Sequence, residues 1–423
     1  MSEKKTVLVL SDHPLSPSGV GIQTKYMIES MLKTGKYRFF CLGGAIKHQD
    51  YRPVKTEEWG EDFVIQPVDG YGSPDMIRSI IRNEKPVMLW FMTDPRFWGW
   101  LWQMEDEIRP LLPMVYYHVW DNFPAPHYNL TWYKSTDVIA CISKVTEQIV
   151  NDVVPEHGDV HYLPHTVDTV LFKKNENEEE VKARRELGFK SVDNIQDRTI
   201  FFWNNRNARR KQSGSLLFWF KKFLDEVGHD QATLLMHTDP KDVHGQDLEH
   251  IIHHLGLDNG QVFLSRNKIT PSELVVMYNI ADCTISVSDA EGFGLATLES
   301  LSCETPIIAT MTGGLQEQVT DGENWFGIGL EPTSKAIIGS QEIPYIYEDR
   351  LSEEVVVDAL KKMHNMSKEE RAALGKAGRE HVIKNYSPEQ YAEQWEKLFD
   401  SIIENHGSWD TRKGYKAWEL IEV

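Results

Sequence analysis

Four cations fall within six positions of one short loop: Arg206, Arg209, Arg210 and Lys211 in the run FFWNNRNARRKQ. Arg offers a planar fork to phosphate oxygens and Lys a compact point charge, so the loop suits a phosphorylated ligand. A basic surface loop that compensates nearby acids is the plainer alternative. A second loop, SVSDAEGFGLATLE, carries Glu291, Gly292, Phe293 and Gly294 just before a helix that opens near Leu295, with Glu299 in its second turn. Glycines there let backbone N–H groups face an anion at the helix N-terminus. A carboxylate is not favoured beside a phosphate unless it serves something else, such as sugar hydroxyls.

Two weaker patterns lie nearer the N-terminus. SDHPLSPSGVG sets Gly19 and Gly21 between the first strand and the first helix, where backbone N–H groups can approach an anion. The dinucleotide fingerprint is broken there by Thr24, which argues against an NAD-dependent oxidoreductase. YYHVWDN ends an apolar strand with His118 and Asp121. A His in that place can share a proton with a substrate hydroxyl or serve as a satisfied structural imidazole. His250, His253 and His254 share a helical spacing, but no Cys or carboxylate pattern joins them, so they read as a solvated helix face and no metal site is expected.

Loops of this kind need strands to end in them. Short β-rich runs alternate with longer helical patterns: strands at Thr6–Leu10, Tyr37–Leu42, Val87–Met92, Met114–Val119 and Val138–Ile142, with helices at Gly21–Thr34 and Ser73–Asn83 and a helix capped by Ser143. A charged stretch, KKNENEEEVKARR, interrupts the pattern, and it reads as a linker followed by a helix. The alternation restarts with strands at Thr199–Trp203, Ala232–His237, Val262–Leu264, Cys283–Val287 and Pro306–Ala309. Helices are expected at Ser215–Glu226, Leu248–His254, Pro271–Tyr278, Ala296–Ser302 and, in the tail, Pro388–Ile403. This is the pattern of parallel sheets covered by helices on both faces, twice over. Ligands of open α/β sheets sit outside the carboxyl ends of the strands, where both signal loops fall.

Composition narrows the field. The chain has 423 residues, 41% hydrophobic and 26% charged, and a formal charge of −19. That length implies two domains and the balance excludes a disordered or collagen-like chain. The acidity argues against a surface that coats nucleic acid or an anionic membrane. No stretch has the length and apolarity of a membrane span, no secretory signal opens the chain, and the four cysteines are scattered without a C-x-x-C. A reducing, cytoplasmic setting with free thiols follows as the expectation. There are 13 Trp, and Trp90, Trp98, Trp100, Trp102, Trp120 and Trp132 crowd the first half. Such rings stack on sugars or bases, or simply fill a core.

The segment from Val262 to Asn324, with Glu291 and Glu299 eight positions apart in an E-G-F-G-x-x-x-x-E context, resembles the retaining nucleotide-sugar glycosyltransferases of family 4. Arg206 and Lys211 match the spacing of that family's loop Arg and Lys, LPHTVDTVLF is similar to its pre-linker segment, and Gly313, Gly314 and Glu317 resemble a further loop. Three departures stand out: Asn205 replaces a Gly before the loop Arg, His165-Thr166 replaces Asn-Gly, and Cys303-Glu304 replaces small residues before Thr-Pro.

The resemblance implies a GT-B fold, two Rossmann-like domains facing each other across a cleft. Residues 1–172 would form an acceptor-binding domain, 173–198 a linker, 199–386 a nucleotide-sugar domain, 387–405 a helix crossing back, and 406–423 a tail. It implies that Arg206 and Lys211 neutralise the leaving diphosphate in place of a metal, and that Gly19 and Gly21 touch it. Glu291 and the N–H groups of Gly292, Phe293, Gly294 and Leu295 would hold the sugar. Glu299 would bind the ribose, Arg266 and Asn267 would run past the base, and His118 would act near the reacting face. Asp121, Trp98 and Trp120 become candidates for acceptor contact. The nucleotide sugar is then a substrate and no cofactor is expected. The acceptor is a hydroxyl of a saccharide, glycolipid or glycoconjugate. Two alternatives stand beside this reading: transfer to hydroxylated bases of DNA, the one way nucleic acid enters, and a catalytically silent sugar-nucleotide scaffold.

Overall fold

The computed structural model of the protein describes residues 4–415. The chain divides into two compact units. The first holds the described residues up to Thr166, Gly339–Ile346 and the described residues from Pro388 onward. The second holds Val167–Ile338 and Tyr347–Ser387.

The first unit is built on an eight-stranded sheet: β1 (Lys5–Asp12), β2 (Tyr37–Gly44), β3 (Val54–Lys55), β4 (Phe63–Pro67), β5 (Met88–Met92), β6 (Met114–His118), β7 (Val138–Cys141) and β8 (Val160–Tyr162). The order is β3-β4-β2-β1-β5-β6-β7-β8, parallel except for β3 against β4. Val7 to Leu10 and Met88 to Met92 are wholly buried, which is why these strands read as unbroken apolar runs: both faces are covered by helices. The last long helix, Pro388–Asn405, joins this unit through a stripe of Tyr391, Trp395, Leu398, Phe399 and Ile402. Trp395 meets Trp90 and Tyr117, with ring centroids 5.9 and 5.0 Å apart, and Phe399 meets Tyr37 at 5.4 Å. Of the expected tail, residues 416–423 lie outside the described residues.

The second unit has a six-stranded parallel sheet: β9 (Thr199–Asn204), β10 (Ala232–His237), β11 (Val262–Ser265), β12 (Cys283–Ser286), β13 (Ile307–Thr310) and β14 (Gly327–Leu330), in the order β11-β10-β9-β12-β13-β14. Strand order reverses between β9 and β12, so the loops that leave these two strands diverge and open a crevice at their carboxyl ends. The two signal loops of the sequence are those loops. Helices Ser213–Val227 and Glu353–Asn365 cover one face with Leu216, Phe220, Phe223, Val356, Leu360 and Met363. Two further strands, β15 (Ser334–Ile338) and β16 (Ile346–Arg350), form a separate two-stranded sheet.

Several expectations need correction. Residues 173–198 lie inside the second unit rather than forming a separate linker. They contain the helix Glu178–Gly188, and Phe189, Val192 and Ile195 after it are buried. The sequence pattern also missed β3, β4, β8, β14 and the β15–β16 pair, and Gly339–Ile346 belongs with the first unit. Trp98 is no acceptor platform: it is fully buried, packed on Phe91 and Tyr71 at 5.4 and 4.9 Å in a core that also takes Trp102. Trp120 is 5% exposed, and its Nε1 donates to the Asn122 carbonyl at 2.8 Å. All four cysteines are buried and unpaired.

The role of Trp98 is checked by Trp98→Ala. The substitution should lower stability by about 3–5 kcal/mol in chemical denaturation, the scale for truncating a buried aromatic. A contact with acceptor would instead raise the acceptor KM and leave the unfolding midpoint in place.

Candidate functional site

β9 ends at Asn204 and the chain turns through a short 3₁₀ segment, Arg209–Lys211, into helix Ser213–Val227. The turn is stapled from below. Asn207 is fully buried, donates from Nδ2 to the Gln246 carbonyl at 2.7 Å and accepts from Ser213 Oγ at 2.6 Å. Gln212, at φ +54°, donates to Asp289 Oδ2 at 2.7 Å and so ties this loop to the next. On this frame Arg206 stands out toward solvent, its side chain 61% exposed, held by Asp242 at 2.6 Å. Lys211 is turned inward, 9% exposed, and forms an ion pair with Glu291. Arg210 donates to the Ala290 carbonyl at 2.7 Å and lies 3.4 Å from Glu291. Arg209 is directed elsewhere, in a two-point pair with the buried Glu348 at 2.7 and 2.6 Å.

The loop after β12 delivers Glu291 and then Gly294, which caps helix Leu295–Ser302 at φ +93°. A Cβ on Gly294 would come within 2.4 Å of Leu315, so both conformation and space demand glycine. Gln318 fixes the loop by donating to the carbonyls of Phe293 and Gly294 at 2.7 and 3.1 Å, and the Gly314 N–H donates to the Glu291 carbonyl at 3.1 Å. This is where the Gly313–Gly314 segment acts. Phe293 is 3% exposed with its ring on Tyr386, so only its backbone can face a ligand. Glu299 accepts from Tyr278 Oη at 2.7 Å, and Tyr278 accepts from Asn204 Nδ2 at 3.0 Å. Burial pushes the Glu299 carboxyl up to about 7, only partly offset by the Tyr278 bond.

The second unit therefore gathers Arg206, Lys211, Glu291, Gly292, Phe293, Gly294, Leu295 and Glu299 on the loops of one switch point. Arg266 and Asn267 follow β11 in exposed positions, Arg266 paired with Glu249. The sequence reading missed Asn204, Asn207, Tyr278 and Gln318. A polar residue closing an apolar strand, as Asn204 does, is the one local signal among them.

The first unit treats its candidates differently. His118 is fully buried, with Nε2 2.8 Å from Tyr133 Oη and Nδ1 without a partner. Burial drives its pKa down to about 3, so the ring is neutral and enclosed, a core histidine rather than a surface acid or base. Asp121 is partly exposed. Gly21 is buried because the loop folds over it: a Cβ would lie 2.5 Å from Ser16 Oγ and 2.7 Å from the His13 carbonyl. Its N–H is taken by Ser18 Oγ at 3.0 Å, and Ser18 donates to Asp12 at 2.6 Å. Gly21 thus serves packing and helix capping; Gly19 is exposed in the first turn.

Two Rossmann-like units, one carrying cations and carboxylates at a switch point, define an α/β protein with its candidate site on the loops after β9 and β12. Residues 241–381 match the family model described as glycosyl transferases group 1. The chain is 27% identical over 266 residues to D-inositol 3-phosphate glycosyltransferase of Corynebacterium jeikeium, covering 61% of this chain and 56% of that one. It is 21% identical to N-acetyl-alpha-D-glucosaminyl L-malate synthase of Bacillus anthracis, covering 64% and 61%. The match thus spans about three fifths of the length of these relatives. Among solved structures, sucrose-phosphate synthase from Thermosynechococcus elongatus superposes with a TM-score of 0.74 at 17% identity, covering 95% of this chain and all of that one. Anabaena HepE in complex with UDP-glucose gives 0.68 at 14%, covering 94% and 99%. The fold is GT-B, and the chain resembles the glycosyltransferases of that fold.

Glu299 supplies a pH test. Unfolded, it titrates near 4.5, and folded near 7. Between those values the folded state holds the extra proton, so this group's contribution to stability is lost as pH rises from about 4.5 to 7. Glu299→Gln removes the effect, up to roughly 3 kcal/mol. The melting temperature of the variant should therefore gain on the parent from pH 5 to pH 8; a constant difference would refute the assignment.

Proposed function

We propose that the protein is a retaining, metal-independent glycosyltransferase that moves a sugar from a nucleoside-diphosphate donor to a hydroxyl acceptor. The observation that carries this is the inward-facing Lys211–Glu291 pair at the β9/β12 switch point, with Arg206 beside it on the same loop. In the free protein Glu291 matches the charge of Lys211. With donor bound, Lys211 and Arg206 turn to the diphosphate, and Glu291 is released to the sugar hydroxyls. Gly292 to Leu295 offer N–H groups at the helix N-terminus, Glu299 takes the ribose, and Arg266 and Asn267 border the base. UDP, the nucleotide in the HepE complexes, is the first donor base to test.

Glycosyl transfer separates charge: the sugar becomes oxocarbenium-like while the diphosphate leaves with negative charge. Once the donor is bound, cations held at the leaving group stabilise that state without further reorganisation during the transfer. On the front-face path the bond from the anomeric carbon to the β-phosphate oxygen breaks, the bond to the acceptor oxygen forms on the same side, and the acceptor proton passes to the departing phosphate. The neutral, enclosed His118 takes no part in this step. Asp121, after β6, is the first unit's candidate for acceptor binding. The four unpaired thiols accord with a reducing, cytoplasmic setting, and no described helix is long and apolar enough to cross a membrane.

Lys211→Ala should cut kcat by about 10²–10³-fold, the loss seen when one preorganised donor is removed from a developing anion. Circular dichroism should show the fold intact. Wild-type turnover in a folded Lys211→Ala protein would overturn the proposal. Transfer should persist in EDTA, and proton NMR of the product should show the anomeric configuration of the donor; inversion, or loss of turnover on chelation, would refute the corresponding half of the assignment.

A further inference from the structure

We propose that the second unit carries a separate binding site for a small phosphorylated anion at the amino-terminal edge of its sheet, the edge opposite the donor loops. A cavity of about 320 Å³ lies there. Its wall includes Asp282, which immediately precedes β12, and Thr305 and Pro306, which precede β13. The strands are parallel, so this edge is remote from the loops that follow β9 and β12. The volume is at the lower end of that of small-molecule sites.

The charge balance of the wall is the reason for expecting an anion. Asp282 is anchored by its own sheet: its Oδ2 accepts from the Ile200 N–H at 2.8 Å and its N–H donates to the Ile200 carbonyl at 2.7 Å. Two guanidinium groups converge on its Oδ1, Arg185 at 3.2 Å and Arg371 at 3.7 Å. Both Arg side chains are 11% exposed and Asp282 is 12% exposed, so one carboxylate faces two enclosed cations. Arg371 directs its Nη1 donors to the Met366 and Met363 carbonyls, at 2.7 and 3.4 Å. Arg185 Nε is buried with no hydrogen-bond partner. An enclosed cation without full compensation is costly, and a ligand that supplies the missing charge and acceptors removes the cost.

The rim adds one further cation. Lys174 is matched by Glu304 at 3.3 Å, and Lys182 by Glu179 at 2.8 Å with Glu178 alongside. Lys368 stands exposed at the mouth. With Glu179 counted beside its partner Lys182, five cations meet four carboxylates here, a local surplus in a chain whose formal charge is −19. A compact group with several oxygens, a phosphate or pyrophosphate, matches the Arg forks and the Lys rim together.

The test is calorimetric titration with inorganic pyrophosphate on the Arg206→Ala/Lys211→Ala protein, which lacks the donor-loop cations. One site per chain is expected. Adding Arg185→Gln should weaken binding about tenfold or more, the loss of one charged hydrogen bond. Lys368→Glu, an exposed change that leaves the buried cluster intact, should weaken it several-fold, and in the otherwise unaltered protein should leave basal turnover unchanged. Parallel titration with UMP separates the sources: tighter binding than pyrophosphate identifies an organic phosphate as the ligand, weaker binding an inorganic one. No heat of binding in the double variant, or an affinity indifferent to Lys368→Glu, overturns the proposal; the second outcome decides even if Arg185→Gln does not fold.

Discussion

The second unit is organised around one attraction, that of the Lys211 ammonium for the Glu291 carboxylate. The two residues lie on different loops that leave different strands, and they meet because strand order reverses between β9 and β12. An ion pair so enclosed adds little to stability, since desolvating two charges costs about as much as their attraction returns. What it fixes is position. Gln212 reaching Asp289, Arg210 reaching the Ala290 carbonyl, and Asn207 and Gln318 pinning the loop backbones keep the two charges in register. On the proposed function, a donor diphosphate would draw the Lys211 cation to itself and release the Glu291 carboxylate to the sugar.

Much of this was legible in the chain. Strands buried on both faces appear as short apolar runs, and the residues that close them begin the functional loops; hence β1, β2, β9, β10 and β12 and the Arg206–Lys211 and Glu291–Glu299 signals were all visible. The invisible part is what distant segments do for one another. Tyr278 reads as one more apolar residue of a helix, yet it links Asn204 to Glu299 across three elements. Glu348 lies far along the chain from Arg209 and takes it away from the site, which no spacing rule reveals. The charged run at 173–185 looked like a linker because its composition is polar, but Arg185 and the apolar residues after it give that segment a buried side.

The aromatic surplus teaches the same point in the first unit. Composition marks the rings but does not say which way they face. Trp90, Trp98 and Trp395 are buried to the last few per cent, where edge-to-face packing among Phe91, Tyr117 and Phe399 accounts for them. His118 ends its strand inside the same enclosed layer, so its position after an apolar run, which suggested chemistry, reflects burial instead. The glycine loop is likewise a packing solution at Gly21, where the backbone folds too tightly for a side chain.

The four cysteines carry a consequence of their own. Oxidation and alkylation both begin from an accessible thiolate. Here burial encloses Cys41, Cys141, Cys283 and Cys303 and pushes every one of these thiols up. The thiols of the folded chain are thus silent: thiol-directed oxidants and maleimides find no cysteine to attack until it opens. A single thiol introduced on the surface would report alone, and the native four would mark the moment of unfolding.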